Sequence, residues 1–274
     1  MCVELLLPDR TPKRGGRWRD HRQVIDAIAF KYRTGTPWTY LPEHFGLWKG
    51  AHNRLRKWAA DGTWEKVFTT LLAQADTEGD LDWVVAVDST IVRAHQHPAR
   101  ARHKGAPAGE PPDHALGRSC GGPTIKIHLA ADSRCRPWAS SSRRPGRRRT
   151  RVHPGHGPLA GPPPQPIGRP RTTPDAVLAD KAYSSRAIRT HLRRRGIRTV
   201  IPQPSDQAAH RKRPGRQGGR PPAFDRTAYK QRNIVERCIN KLKQWRGLAT
   251  RYDKTATIYL AGLHLAAIFI WSAQ

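Results

Sequence analysis

Residues 81–90 read LDWVVAVDST and residues 175–183 read DAVLADKAY, and these two stretches decide the architecture. In the first, the strand formers Trp83, Val84, Val85 and Val87 lead to Asp88; in the second, Ala176, Val177 and Leu178 lead to Asp180. Short continuous apolar runs of this kind predict strands buried in a sheet covered by helices. A carboxylate placed where such a strand surfaces is costly unless it is paired or binds a cation. Asp88 and Asp180 are therefore candidate metal ligands.

A third carboxylate follows in residues 229–254, YKQRNIVERCINKLKQWRGLATRYDK, where no Gly or Pro intervenes until Gly247 and at least four helical turns are predicted. Tyr229, Arg232, Glu236 and Lys243 are three, four and seven residues apart, which stacks them on one helical face. Ile234, Cys238, Ile239 and Leu242 form a second, apolar stripe for the core. Charge on a single helix is as readily a solvated face. Two strand-end aspartates followed by a helical glutamate, however, make a three-carboxylate set, the ligand chemistry of two hard divalent ions in phosphoryl transfer.

In these residues the chain resembles the DDE transposases of bacterial insertion sequences, of the insertion-sequence-five group. That family has its first Asp in a VDST-like strand and its second in an ADKAY-like strand. Its Glu lies in a helix spelled Tyr, two residues, Arg, three residues, Glu, six residues, Lys. Here these fall on Asp88, Asp180 and Tyr229, Arg232, Glu236 and Lys243. The resemblance covers most of the chain, one internal segment excepted. It implies an α/β protein: a ribonuclease-H-like mixed-sheet catalytic core preceded by a small all-α helix-turn-helix domain. The implied activity is metal-dependent DNA cleavage and strand transfer on the element's terminal repeats and a target DNA, by a homodimer or higher multimer. The implied ligands are Asp88, shared by two Mg²⁺ ions (Mn²⁺ can substitute), with Asp180 and Glu236 each completing one. Arg232 and Lys243 would hold phosphates and Tyr229 would orient a phosphate or stack on an unpaired base.

Composition agrees with a polyanionic partner. Fifty Lys+Arg against 21 Asp+Glu give a formal net charge of +29, and a chain so basic is expected to bind duplex DNA with strong salt dependence. No basic amphipathic helix with a bulky apolar face suggests a membrane surface. The four cysteines, Cys2, Cys120, Cys135 and Cys238, have no paired short spacing, which argues against a zinc knuckle or disulfide framework. The opening MCVELLLPDR lacks the features of a signal peptide, and the apolar tail IYLAGLHLAAIFIW (258–271) is shorter than the roughly 20 residues needed to span a bilayer. A cytoplasmic, nucleoid-associated protein is expected, with the tail as a core helix.

Along the chain, residues 1–20 read as a basic extension and 21–76 as a helical DNA-binding domain. HRQVIDAIAFKYRTG (21–35) turns Val24, Ile25, Ile28, Ala29 and Tyr32 inward and stops at Gly35. TPWTYLPEHFG (36–46) reads as a shorter second helix. WKGAHNRLRKWAADG (48–62) turns Ala51, Leu55 and Trp58 inward. Its outward residues, His52, Asn53, Arg54, Arg56 and Lys57, with Lys49, are the candidate DNA contacts. TWEKVFTTLLAQA (63–75) is the connecting helix. The catalytic domain, 80–274, continues through a polar loop (94–122) and the strand TIKIHLAAD. After Asp180 come the helix SSRAIRTHLRRRG, the strand IRTVIP and a basic loop, AHRKRPGRQGGRPP.

One segment does not fit. Residues 138–167, WASSSRRPGRRRTRVHPGHGPLAGPPPQPI, have almost no strand formers where a ribonuclease-H-like sheet needs a third antiparallel strand and the family supplies a strand and a helix. Codons can be chosen for residues 145–156 that, shifted by one base, spell a family-like peptide. This points to a frameshift in the gene, against the alternative of a genuine flexible insertion. A competing reading is then a catalytically impaired DNA-binding remnant, and a third is a nuclease without strand transfer.

Overall fold

The computed structural model describes residues 6–9, 18–99, 110–143, 173–217 and 219–273. Most of the predicted extension at 1–20, and residues 144–167 of the anomalous segment, lie outside these. A seven-stranded sheet centres on β1 (Val84–Ala94). On one side β1 pairs antiparallel with β3 (Gly122–Ala131), which carries β2 (Gly117–Ser119) and β4 (Pro137–Arg143). On the other side β5 (Ala176–Ala179) and then β6 (Arg198–Val200) are parallel to it. A two-residue strand, β7 (Thr250–Arg251), pairs with the far end of β1. The sheet is mixed, as the alternation of apolar runs and helices predicts.

Two strands differ from expectation. β1 does not end on Asp88 but runs on to Ala94, because Ile91 and Val92 prolong the run of strand formers and β3 supplies partners from Ala131 back to Thr124. Asp88 is thus in mid-strand. The second correction concerns the anomalous segment, whose first residues form β4 antiparallel to β3. Its serines are poor strand formers, so the strand is held from outside. Trp138 is buried edge-on against Trp83 (centroids 5.7 Å apart), and Trp271 Nε1 donates to the Pro137 carbonyl at 2.7 Å. The preceding turn is fixed by Arg136, whose Nε donates to Asp132 Oδ2 at 2.6 Å and whose guanidinium also binds Asp80.

Among the described residues, three α-helices precede the sheet: α1 (His21–Thr34), α2 (Trp48–Ala60) and α3 (Thr63–Thr77). α1 is capped by Asp20 and closed by Gly35 in the left-handed conformation (φ 74°), as its sequence predicts. Residues 36–46 form two 3-10 turns, Trp38–Tyr40 and Glu43–Phe45, in place of the predicted helix, since Pro37 and Pro42 each restart the chain. Behind β1 comes the one-turn helix α4 (Gln96–Ala99), and α5 (Arg186–Arg194) follows β5. Part of the predicted basic loop is helical as α6 (Ser205–Lys212), which buries nothing. The carboxylate helix is α7 (Arg226–Tyr229), a 3-10 turn (Lys230–Arg232) and α8 (Asn233–Lys243), followed by α9 (Arg246–Ala249). In α8 the core stripe is Val235, Cys238, Ile239 and Leu242. Ile234 is only half-buried, as is Ile25 in α1, because each faces the margin of its helix contact.

The apolar tail is α10 (Ala256–Ser272), and it packs on α1, α2, α3 and β4. The helices of residues 21–76 therefore bury their apolar faces in the same continuous cluster as the sheet. Gly262 of α10 lies against the Tyr32 ring; a Cβ there would stand 2.6 Å from Tyr32 Cζ. No helix among the described residues is long and apolar enough to cross a membrane.

Candidate active site

The parallel pairing of β1 with β5 ends at Val87 opposite Ala179, so Asp88 and Asp180 are the next residues on adjacent strands. Register alone sets the two carboxylates side by side. Asp88 points to the face covered by α8, since Thr90 and Val92, two and four residues on, line a small pocket with Ile239 and Leu242. Its Oδ1 accepts from the Ser89 amide at 2.7 Å, and Asp180 Oδ1 accepts from the Ala182 amide at 3.0 Å.

Arg232 joins the third carboxylate to the first. Its guanidinium contacts Asp88 Oδ2 at 2.5 Å and Glu236 Oε1 at 2.9 Å. Burial alone would lower the Arg232 pKa; Asp88, then Glu236, Tyr229 and Asp180, outweigh that and raise it. One cation therefore senses all three predicted carboxylates. Tyr229 is half-buried against Phe224 (5.1 Å between centroids), and Lys243 lies two turns beyond Glu236, lining the pocket beside Thr90 and Val92. The structure thus brings Asp88, Asp180, Arg232 and Glu236 together and sets Lys243 further along β1.

Among the described residues, no three His, Cys, Asp or Glu side chains stand close enough to hold a metal ion. The donor chemistry nevertheless suits a hard divalent cation, because Asp88 and Glu236 share the Arg232 guanidinium and Asp180 follows the strand paired with β1, all three being carboxylates. Asp88, Asp180 and Glu236 are the residues that could hold such an ion.

Sequence reasoning missed Tyr183 and His128. After Asp180 the chain folds into a 3-10 turn, Lys181–Tyr183, that buries the Tyr183 ring. Its hydroxyl lies 3.1 Å from His128 Nδ1 on β3. Burial raises the Tyr183 pKa; Ser89 and Arg232 lower it, while Asp88 and Asp180 raise it, and the net shift is strongly upward. The signal available was the period of two: Ser89 and His128 are cross-strand partners. His95 and His97 stack on each other (5.1 Å) at the far end of β1.

The predicted DNA contacts divide. Lys49, Asn53, Arg56 and Lys57 are exposed on α2, whereas Ala51, Leu55 and Trp58 are buried as predicted. Three of the residues expected to point outward do not do so freely, Lys57 Nζ lying 4.3 Å from the Trp18 ring centroid. Arg54 stacks on Trp18 (3.7 Å to the ring centroid), and His52 packs edge-on against Trp38 at 5.3 Å. Burial, then Arg56, lowers the His52 pKa.

Known proteins place this arrangement. Residues 177–272, which hold Asp180, Arg232, Glu236 and Lys243, match a family model described as "Transposase DDE domain", a class with which the mixed sheet is consistent. Residues 1–68 match a second model, described as "Putative transposase of IS4/5 family". Asp88 falls between the two matches. The chain is 38% identical over 96 residues to the uncharacterized protein y4sN of Sinorhizobium fredii (strain NBRC 101917 / NGR234), 35% of this chain and 73% of that protein. It is 34% identical over 99 residues to a 16.2 kDa uncharacterized protein of insertion element IS402 from Burkholderia cepacia, 34% of this chain and 67% of that protein. Over 50 residues it is 42% identical to a Brucella ovis (strain ATCC 25840 / 63/290 / NCTC 10512) protein named "Putative transposase for insertion sequence element IS6501", 18% of this chain and 38% of that one. No solved structure matches the chain. The protein belongs to the IS4/5 family of insertion-sequence transposases.

Proposed function

We propose that the protein cuts and joins DNA at the ends of an insertion element, with Asp88, Asp180 and Glu236 as the metal-binding carboxylates. The observation that carries this is the single guanidinium of Arg232 held between Asp88 and Glu236 within electrostatic reach of Asp180. The chemistry that two divalent cations, Mg²⁺ or Mn²⁺, supply at such a site is activation of a water or a DNA 3′-hydroxyl for in-line attack and stabilisation of the leaving oxygen. The protein's own part is positional. β1 and β5 present Asp88 and Asp180 in register, and the helix presents Glu236 from the covering layer. Arg232 can turn from the carboxylates to a phosphate, with Lys243 and Tyr229 on the same helical run as further phosphate or base contacts.

The strand order β4-β3-β1-β5-β6, antiparallel on one side of β1 and parallel on the other, supports a ribonuclease-H-like core. The exposed Lys49, Asn53, Arg56 and Lys57 of α2 support a helix-turn-helix reading of α1–α3 with duplex DNA as partner, and strand transfer on two ends calls for a multimer. β4 supports the active enzyme over the remnant, since residues 138–143 of the anomalous segment pair with β3 as an edge strand. The test is strand cleavage and joining of terminal-repeat DNA with Mg²⁺ or Mn²⁺. Activity that Glu236→Gln abolishes while DNA binding persists is expected; wild-type activity in that variant would refute the assignment.

A further inference from the structure

We propose that Tyr183 is a positioning residue for the aspartate pair, acting through a hydroxyl held by His128 of β3, the cross-strand partner of Ser89 of β1. The inference rests on the assignment of Asp88 and Asp180 as metal ligands. β5 is only four residues long and its ladder to β1 stops at Ala179, so no strand pairing reaches Asp180. The Asp180 carbonyl accepts from the Tyr183 amide at 3.1 Å, its carboxylate accepts from the Ala182 amide, and Ser184, which closes the turn, is bonded to Arg189 and Gln207; none of these bonds reaches β1. Left there, the turn could slide relative to β1.

The Tyr183 side chain supplies the missing cross-link. Its ring is 9% exposed and meets the His128 ring edge-on (centroids 6.3 Å apart, planes at 88°), with its hydroxyl on His128 Nδ1. Ser89 immediately follows Asp88, and His128 pairs with Ser89 across the ladder. One hydroxyl therefore ties the turn carrying Asp180 to the strand beyond β1, at the residue paired with the neighbour of Asp88. The link lies on the opposite sheet face from Asp88, because successive residues of a strand alternate. It can thus fix the spacing of the two carboxylates without occupying the space between them.

The experiment is a Mn²⁺ titration of the full-length protein, followed by electron paramagnetic resonance of free Mn²⁺, on wild type, Asp88→Asn, Tyr183→Phe, His128→Leu and His128→Asn, with thermal midpoints recorded alongside. Tyr183→Phe and His128→Leu are expected to weaken Mn²⁺ binding about 10-fold, in the range found when groups that orient metal ligands are removed. His128→Asn, which keeps a polar group near the Nδ1 position, is expected to restore most of it. Unchanged Mn²⁺ affinity in Tyr183→Phe and His128→Leu, with or without a lower thermal midpoint, would overturn the proposal while leaving the ligand assignment standing. Wild-type Mn²⁺ affinity in Asp88→Asn would overturn both.

Discussion

Replacing Glu110 with Ala should cost this protein a large part of its stability, although the residue is far from the carboxylate site. Glu110 has a side chain 1% exposed and sits at the head of α10. Its carboxylate accepts from the Ala256 and Thr257 amides, from the Thr257 hydroxyl and from His114 Nδ1 (2.8 Å). The two amides belong to the first turn of α10, where backbone donors have no intrahelical acceptor and a negative charge is favoured. Each buried partner left without its hydrogen bond costs about 1–3 kcal/mol, and because these share one carboxylate we take about 4 kcal/mol for the set. For a chain of this size that is a fall of about 8–16 °C in Tm, at roughly 2–4 °C per kcal/mol. Glu110→Gln retains one acceptor oxygen and should lose about half as much. Differential scanning fluorimetry and urea unfolding at pH 7 measure both. The pH dependence has a definite sign. Burial pushes the Glu110 pKa up, but the bonds from Thr257, Ala256 and His114 outweigh it and hold the group below the ordinary 4.5. The stabilisation is therefore complete above that value and lost as pH falls through the lower folded pKa. A Glu110→Ala protein melting within about 3 °C of wild type would refute the reasoning.

Buried His264, stacked on Phe68 at 5.6 Å, has its pKa lowered by burial to about 4. Its neutral form is favoured by folding, so stability present above the ordinary value of 6.5 is lost as pH falls toward 4; His264→Leu should flatten urea midpoints between pH 7.5 and 5, and parallel curves would contradict this. Gly262→Ala drives a methyl into the Tyr32 ring, whose hydroxyl is held by Asp253 at 3.1 Å, and should cost about 1–3 kcal/mol in chemical denaturation; a neutral result would mean the ring is free to move. Substituting Lys49, Arg56 or Lys57 with Gln should each reduce the slope of log K against log salt by up to about 0.9 in fluorescence anisotropy with duplex DNA. Arg54→Gln, which loses the stack on Trp18, should instead lower Tm with little change of slope; the reverse pattern would reassign the surface.

The helices α1, α2 and α3 were legible because each carries an apolar stripe bounded by a Gly or a cap, and β1, β3 and β5 because their residues are strand formers. What was not legible depends on distant partners. β4 has a serine run that no propensity rule would select; Trp83 and Trp271, 55 and 133 residues from Trp138, hold it in place. The end of β1 was misjudged because an aspartate looks like a terminus until β3 is seen to pair beyond it. At the candidate site, the spacing of Arg232 and Glu236 foretold their shared helical face, and the apolar runs foretold two strands leading to aspartates. Nothing local announced that Tyr183 would reach His128. The same holds for Arg251, which is buried and donates to the carbonyls of Asp253, His114 and Lys254, and for Lys31, 3.9 Å from Asp253.

The packing of α10 on α1, α2 and α3 has a consequence for synthesis. The ribosome finishes α3 and then makes about 180 further residues before α10 begins, an interval of roughly 10–35 s at 5–20 residues per second. Throughout it the faces of Leu55, Phe68 and Tyr32 await their cover. A chain that leaves its reading frame for good before α10 never receives that cover, and its first three helices remain as exposed to proteolysis as the rest. The fold thus makes possession of a settled amino-terminal half conditional on the message having been read correctly to its far end, a form of quality control that needs no second protein.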